Sequence, residues 1–337
     1  MTVVSQLTER ELVARIQQRL APPPDWLLVG IGDDAAVVEP ERNRVEVLTV
    51  DAIVEGVHFD RAFTPPEAIG HRALAVNLSD LAAMGAAPRL ALLSMALPPS
   101  LPLDDYDGIA NGIAQLAAAH RLHVVGGNLT KSPGPLAIDV TVVGTVKRRQ
   151  ALRRSGARAG DDVYVSGTLG AAAAGLALLK QNGASAAAPP ADRESALVER
   201  YLRPQPRVRL GLMLARNRAA SACIDLSDGL ADGLHRIADA SGVGMAIDAD
   251  ALPIDPSARA RFDARGDDAV RAALCGGDDY ELLFTVRPRT RRRLTAAERH
   301  GGAPLTRIGT CTADRLVVLQ RAGASTPVPE GYSHFAP

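Results

Sequence analysis

Aromatic side chains are scarce, at 3% of the 337 residues with a single Trp. Binding of single-stranded nucleic acid by stacking needs exposed rings, so this composition argues against it. Neither sign of charge is in excess, since 38 Lys and Arg stand against 38 Asp and Glu. A neutral chain has no global field to draw in a polyanion or an acidic membrane surface. Cysteine is sparse as well. Cys223, Cys275 and Cys311 are far apart, with no Cys-x-x-Cys or Cys/His spacing. That argues against a disulfide framework or a zinc cage and leaves core thiols in a reducing compartment as the expectation. No stretch reaches the ~18 uninterrupted apolar residues of a membrane span. The opening residues, MTVVSQLTERELVARI, are charged rather than signal-like. The expected location is therefore cytoplasmic, with no nucleic acid and no membrane as partner.

The chain does have a large apolar fraction, 47% against 23% charged residues, enough for a sizeable core. The length suggests two domains. Thr8 with Glu11 forms a capping box ahead of Leu12, Val13, Ile16 and Leu20, which predicts a helix over 8–20, stopped by the APPP run at 21–24. Short apolar segments at 26–29, 35–38 and 45–50 read as strands. Then come a helix over 66–84, a strand over 90–97, a helix over 104–120 and strands at 122–125 and 136–146. The basic KRRQALRR stretch at 147–154 marks a boundary, so the domains are set at 1–148 and 149–337. In the second half, strands are expected at 163–166, 222–225, 243–247, 280–286, 305–309 and 315–320. Helices are expected at 169–180, 194–202, 207–217, 229–240 and 290–299. A Gly/Ala/Pro loop is expected at 183–191. The fold class is α/β (α+β) in two halves.

The chemistry-bearing pattern is a series of Asp residues in short polar words after apolar segments. They are Gly-Ile-Gly-Asp33-Asp34, Thr49-Val50-Asp51, Asn-Leu-Ser-Asp80, Asp225-Leu-Ser227-Asp228-Gly and Gly-Gly-Asp278-Asp. One such word is an ordinary helix cap or turn. Five of them read as strand ends, where α/β proteins gather ligands and where converging carboxylates repel unless a cation intervenes. Hard oxygen donors select Mg²⁺ or Mn²⁺, bridging carboxylates to substrate phosphates. Two phosphate motifs are excluded. The GIGDDA word has no helix after it, and its paired acids would repel a pyrophosphate. The GGNLTKS word at 126–132 lacks the P-loop's second Gly before its Lys, and a strand follows it. Protein-kinase motifs are absent.

Taken in order, GIGDDAAVV (30–38), VDAIVEGVHF (50–59), HRALAVNLSDLAAMGAAPR (71–89), RRSGARAGDDVYVSGTLG (153–170), LRPQPR (202–207), IDLSDGLADGL (224–234), GGDDYELLFTV (276–286) and GYSHF (331–335) closely resemble the thiamine-monophosphate kinase family. That family is grouped with aminoimidazole ribonucleotide synthetase, selenophosphate synthetase and a hydrogenase-maturation carbamoyl dehydratase. The resemblance implies an ATP user with an N-terminal sheet domain that dimerises and a C-terminal α/β domain. It implies transfer of the ATP γ-phosphoryl to thiamine monophosphate with the help of several Mg²⁺ ions.

By position, the resemblance implies Asp33, Asp34, Thr49, Val50, Asp51, Asp80, Asn128, Asp225 and Asp228 as metal ligands. Gly127, Asn128, Arg154 and Ser227 match ATP-contacting positions. His58, Asp278 and Tyr332 match substrate-contacting ones, and no catalytic side chain is called for beyond metal and positioning. Three residues depart from the family's pattern. Asn128 stands for an Asp and gives up a charge, Val50 offers only a carbonyl, and Asp278 is one methylene shorter than the usual Glu. Two alternatives stay open: another ATP-dependent enzyme of this superfamily, and a metal-nucleotide binder without catalysis. The Arg-rich 287–293 run has no implied role and reads as a solvated helix face.

Overall fold

The capping box operates where the sequence places it. In the computed structural model, which describes residues 2–182 and 192–331, Thr8 is the N-cap of α1 (Glu9–Gln17). The Thr8 amide donates to Glu11 Oε2 at 2.7 Å, and the Glu11 amide to Thr8 Oγ1 at 3.4 Å. Arg15, on the same helix, pairs with Asp107. The chain then forms two compact units, Met1–Leu78 with Ala87–Arg148, and Ser79–Ala86 with Arg149–Pro337.

In the first unit, β1 (Leu27–Val29) and β2 (Val37–Val38) form a small antiparallel ribbon around the GIGDD loop. Next in order are β3 (Arg44–Val54), α2 (Pro66–Ala83), β4 (Ala87–Leu97), α3 (Leu103–Ala119), β5 (His123–Lys131) and β6 (Ala137–Lys147). They build a four-stranded sheet in the order β3-β6-β4-β5. Residues on β3 alternate: Glu46, Leu48, Val50 and Ala52 are exposed, while Val47, Thr49, Asp51 and Ile53 turn to the other face. That second face carries the buried Ile138, Val140, Val142, Leu93 and Met95. Helices α2 and α3 cross closely. A Cβ on Gly112 would lie 2.0 Å from the Glu67 carbonyl oxygen, which only glycine avoids.

The second unit begins with β7 (Asp162–Ser166), α4 (Ala171–Asn182), α5 (Asp192–Leu202), α6 (Val208–Arg216), β8 (Ala222–Asp225), α7 (Leu230–Ser241) and β9 (Gly244–Asp248). It continues with α8 (Pro256–Ala264), α9 (Ala269–Cys275), β10 (Leu282–Val286), α10 (Thr295–His300), β11 (Leu305–Thr312), β12 (Val317–Arg321) and β13 (Ala324–Pro327). The strands form a seven-stranded sheet in the order β13-β12-β9-β11-β7-β10-β8. Strands β7, β8 and β10 are buried along their whole length, consistent with their near-continuous apolar runs.

Several expectations change. Strands β3 and β5 run well past the segments read at 45–50 and 122–125. Helices α8 and α9 and strand β13 add to the expected elements. The helix expected over 290–299 is a 3-10 segment, Pro288–Leu294, followed by the short α10. The Arg-rich run is not merely solvated: Arg291 and Arg307 both bond to the buried Asp162, Arg307 Nε at 2.6 Å. The loop expected at 183–191 lies outside the described residues.

Two acids of the DDYELLF word are structural anchors. Glu281, with no exposed surface, accepts from Ser166 Oγ at 2.6 Å, Arg207 Nε at 2.7 Å and Arg200 Nη2 at 2.9 Å. Asp279 accepts from the amides of Gly170 at 2.7 Å and Ala172 at 3.3 Å, capping the start of α4 from a distant segment. Burial pushes the Asp279 carboxyl up to about 7, against the pull of those amides. A folded pKa above the unfolded value means that the stabilisation is complete below about pH 4 and is lost as pH rises towards 7. Asp279→Asn keeps an oxygen acceptor but cannot ionise. Between pH 4 and pH 7.5 its unfolding free energy should therefore gain on the wild type by on the order of 2–4 kcal/mol, read from urea midpoints. A constant difference across that range would show that Asp279 titrates normally.

Candidate active site

Strand β8 ends on Asp225, and the chain turns through Leu226, Ser227 and Asp228 into α7. The turn is tight because Gly229 lies at φ 94°, where a Cβ would come within 2.8 Å of the Gly276 carbonyl oxygen. The 276–280 segment runs alongside: the Asp278 amide donates to the Ser227 carbonyl at 2.8 Å, and the Tyr280 amide to the Leu226 carbonyl at 3.0 Å. Asp225 is buried and accepts from Ser79 Oγ at 2.7 Å. Burial first, and then the adjacent Asp80 charge, push its carboxyl upward, opposed by the Ser79 hydroxyl and by Arg154. On α7, the hydrogen bond from Arg236 to Asp232 Oδ2 at 2.5 Å chiefly raises the Arg236 guanidinium, with smaller contributions from the charges of Asp228 and Asp225.

Asp80, Asp225, Asp228, Ser227, Arg154 and Asp278 thus all belong to the second unit. Ser79 and Arg236 join them. Ser79 had a signal in the NLSD word; Arg236 had none beyond its position two turns after Asp228. The strand-end reading needs correction, because Asp80 and Ser79 sit in the last turn of α2 rather than on a strand. The GGDD word follows α9 and precedes β10, so it too is not the end of a strand.

In the first unit, Asp33 and Asp34 are exposed in the β1–β2 loop. The Asp34 amide donates to Asp33 Oδ1 at 2.8 Å, and Gln17 Nε2 holds the Ile31 carbonyl at 3.0 Å. Thr49 and Asp51 lie within β3, not at its end, on the sheet's buried face. Val50 points to the opposite, exposed face. His58 sits in the turn after β3, where its Nδ1 accepts from the Val54 amide at 3.1 Å. That bond leaves Nε2 as the protonated nitrogen of the neutral ring.

Gly127 and Asn128 are not in a loop but inside β5. The register aligns Asn128 with Ser94, Asp139 and Ala52, and Gly127 with Leu93, Val140 and Asp51. Asn128 and Asp51 therefore occupy opposite edges and opposite faces of the sheet, three strand spacings or about 14 Å apart. Ligands of one Mg²⁺, at ~2.1 Å each, cannot be so far apart, so these two do not share an ion within one chain. Tyr332 lies outside the described residues.

Among the described residues, no group of three or more His, Cys, Asp or Glu converges as a ready cage. The Asp80–Asp225 pair could hold a Mg²⁺ ion, since that ion uses one or two carboxylates and completes its shell with water and substrate phosphate. Two like charges in a buried place are relieved by a proton or a cation. Two of the thiols are unsuited to chemistry: burial pushes Cys311 up to about 12 and raises Cys223 further from the thiolate. Among the described residues, no helix is long and apolar enough to cross a membrane.

This fold is shared with known proteins. Residues 32–146 match the AIR synthase related protein N-terminal domain, and residues 158–321 match the corresponding C-terminal domain. The class is therefore the two-domain AIR synthase-like α/β architecture. The E. coli hydrogenase maturation protein HypE shares it at a TM-score of 0.77 and 22% identity, a likeness of fold alone.

Nearer relatives narrow the class. The thiamine-monophosphate kinase of Escherichia coli (strain K12) is 39% identical over 332 residues, spanning 97% of this chain and 98% of its own. That of Bacillus subtilis (strain 168) is 34% identical over 314 residues, 91% of this chain and 93% of its own. The crystal structure of the Stenotrophomonas maltophilia K279a enzyme superimposes with a TM-score of 0.83 at 43% identity, covering 94% of this chain and 98% of that one. AaThiL complexed with AMPPCP and TMP gives 0.77 at 34%, covering 99% of each. The chain belongs to the thiamine-monophosphate kinase family.

Proposed function

We infer that this chain is a kinase that transfers the γ-phosphoryl group of ATP to thiamine monophosphate, giving thiamine diphosphate and ADP. The observation that carries this reading is the Asp225–Ser79–Asp80 cluster at the β8–α7 turn, in a chain collinear with kinases of that name. The acceptor is a phosphate monoester with a second pKa of about 6, already largely dianionic at neutral pH. No strong general base is required. That suits a site whose one assigned histidine, His58, has Nδ1 engaged by backbone.

The obstacle is the meeting of two anions. Bound Mg²⁺ supplies charge that screens them. Asp80, Asp225 and Asp228 would hold it in the second unit; in the first, Asp33, Asp34, Thr49 and Asp51 would, with Val50 contributing only its carbonyl, and Asn128 would serve a separate ion. Arg154 is exposed, and its charge reaches Asp225; a guanidinium there suits a phosphate oxygen. Ser227 and Gly127 are assigned to ATP, and His58, Asp278 and Tyr332 to thiamine monophosphate. The reaction then rests on positioning and charge.

We further propose residues 1–148 and 149–337 as the domains, with Ser79–Ala86 counted with the second, a cytoplasmic location and a homodimer. Support for the dimer is the exposed apolar face made by Leu48, Val50 and Leu92, which a second copy would bury. Because Asn carries no charge, Asn128→Asp should lower the Mg²⁺ concentration that gives half-maximal rate. An unchanged Mg²⁺ titration would remove Asn128 from the ligand set.

The deciding experiment incubates the protein with Mg-ATP and thiamine monophosphate and measures thiamine diphosphate against ADP. Equal amounts of both are expected. ADP release that ignores thiamine monophosphate would indicate a different acceptor, and nucleotide binding without turnover would indicate a non-catalytic protein.

A further inference from the structure

The Gly-Gly-Asp-Asp-Tyr word contains two residues in a backbone region that side chains rarely adopt. Asp278 has φ 68° and Tyr280 has φ 49°. Asp tolerates the left-handed region because its short polar side chain bonds locally, whereas a bulky aromatic there is an outlier. Strain of this kind persists where the surroundings impose it, and it clusters at ligand sites. Here the surroundings are identifiable. The amides of Asp278 and Tyr280 are tied to the Ser227 and Leu226 carbonyls, and between them Asp279 is buried, capping α4. A Cβ on Gly277 would come within 2.6 Å of the Ser227 carbonyl oxygen, so the segment is seated backbone to backbone on the β8–α7 turn.

The strained conformation has one specific result. Tyr280, only 6% exposed, turns back so that its phenol donates to Asp278 Oδ1 at 3.2 Å. Asp278 itself is half-buried. A half-buried carboxylate held by a buried phenol two residues away is oriented rather than free to rotate.

We propose that Tyr280 is a positioning residue for the acceptor: its phenol holds the Asp278 carboxylate in the orientation that receives the cationic thiazolium of thiamine monophosphate. This rests on the function proposed above and on Asp278 as the acceptor's contact.

The test is steady-state kinetics on the full-length enzyme with Tyr280→Phe, Asp278→Asn and the double variant. Tyr280→Phe should raise KM for thiamine monophosphate roughly tenfold, the effect of one hydrogen bond to a charged group. Its kcat, KM for ATP and thermal midpoint should change little. Asp278→Asn should raise the same KM at least as much, and the double variant should be no worse than Asp278→Asn alone, because the two act as one unit. A neutral analogue with carbon in place of the thiazolium nitrogen should show no KM change in Tyr280→Phe.

An unchanged KM in Tyr280→Phe, alongside a raised one in Asp278→Asn, would overturn the positioning role while leaving the proposed function intact. So would equal losses for the charged and neutral acceptors. Should Tyr280→Phe fail to fold, the neutral analogue with Asp278→Asn decides instead: equal KM increases for both acceptors would sink the proposal. A wild-type enzyme that does not phosphorylate thiamine monophosphate would overturn both readings.

Discussion

Asp228→Ala and Asp51→Ala should each lower kcat by roughly 10²–10³-fold, the cost of about 3–4 kcal/mol of charge stabilisation in the transition state. Both residues are half-buried, Asp228 in the turn before α7 and Asp51 within β3. Neither is among the fully enclosed side chains, so thermal unfolding should move little. Rate constants at saturating Mg-ATP, set beside melting curves for the same preparations, separate the two roles. Early unfolding with full activity per folded molecule would make the Asp a structural residue. Asp225 is a poorer probe, because it is enclosed and bonded to Ser79, so its removal would mix folding with chemistry.

The largest stability effect should come from Glu281. Its carboxylate is completely enclosed and meets Arg207, Arg200 and Ser166. Glu281→Ala would leave two largely covered guanidinium groups, with side chains 14% and 21% exposed, without their common partner. Breaking a buried ion pair from one side costs about 3–5 kcal/mol, mostly as uncompensated charge. The urea midpoint should fall accordingly, with a smaller fall for Glu281→Gln, which keeps one acceptor oxygen. A midpoint within error of the wild type would mean that water replaces the lost carboxylate.

Much of this architecture could be read from local patterns. The Thr8 capping box, the apolar runs of β7, β8 and β10, and the helical spacing of α2 and α3 each report a local physical preference. Other elements carry weaker local signals. Asp255-Pro256 and Asp268 are good helix starts, with Asp255 Oδ1 accepting from the amides of Ser257 at 2.9 Å and Ala258 at 3.1 Å. The helices they begin are short and, in the case of α8, weakly patterned. The acids of the candidate site were visible as residue types, but their settings were not. Whether Asp51 ends a strand or lies within one depends on pairing with β6, a partner almost ninety residues away along the chain. The opposition of Asn128 and Asp51 likewise follows from strand order, which no local word encodes.

The last turn of α2 has a consequence for modularity. Residues Ser79–Ala86 count with the second unit although they precede it by more than sixty positions. There Ser79 bonds to Asp225, and the Ala82 carbonyl oxygen lies 2.0 Å from where a Gly211 Cβ would stand. A fragment cut at residue 149 would lack that turn, leaving the Asp225 carboxylate without its hydroxyl and α6 without the backbone against which Gly211 packs. During synthesis the same segment emerges early and must await the strands that complete its surroundings. The two halves therefore cannot be exchanged or expressed as simple consecutive pieces. A working graft of the second half would have to carry eight residues borrowed from the first.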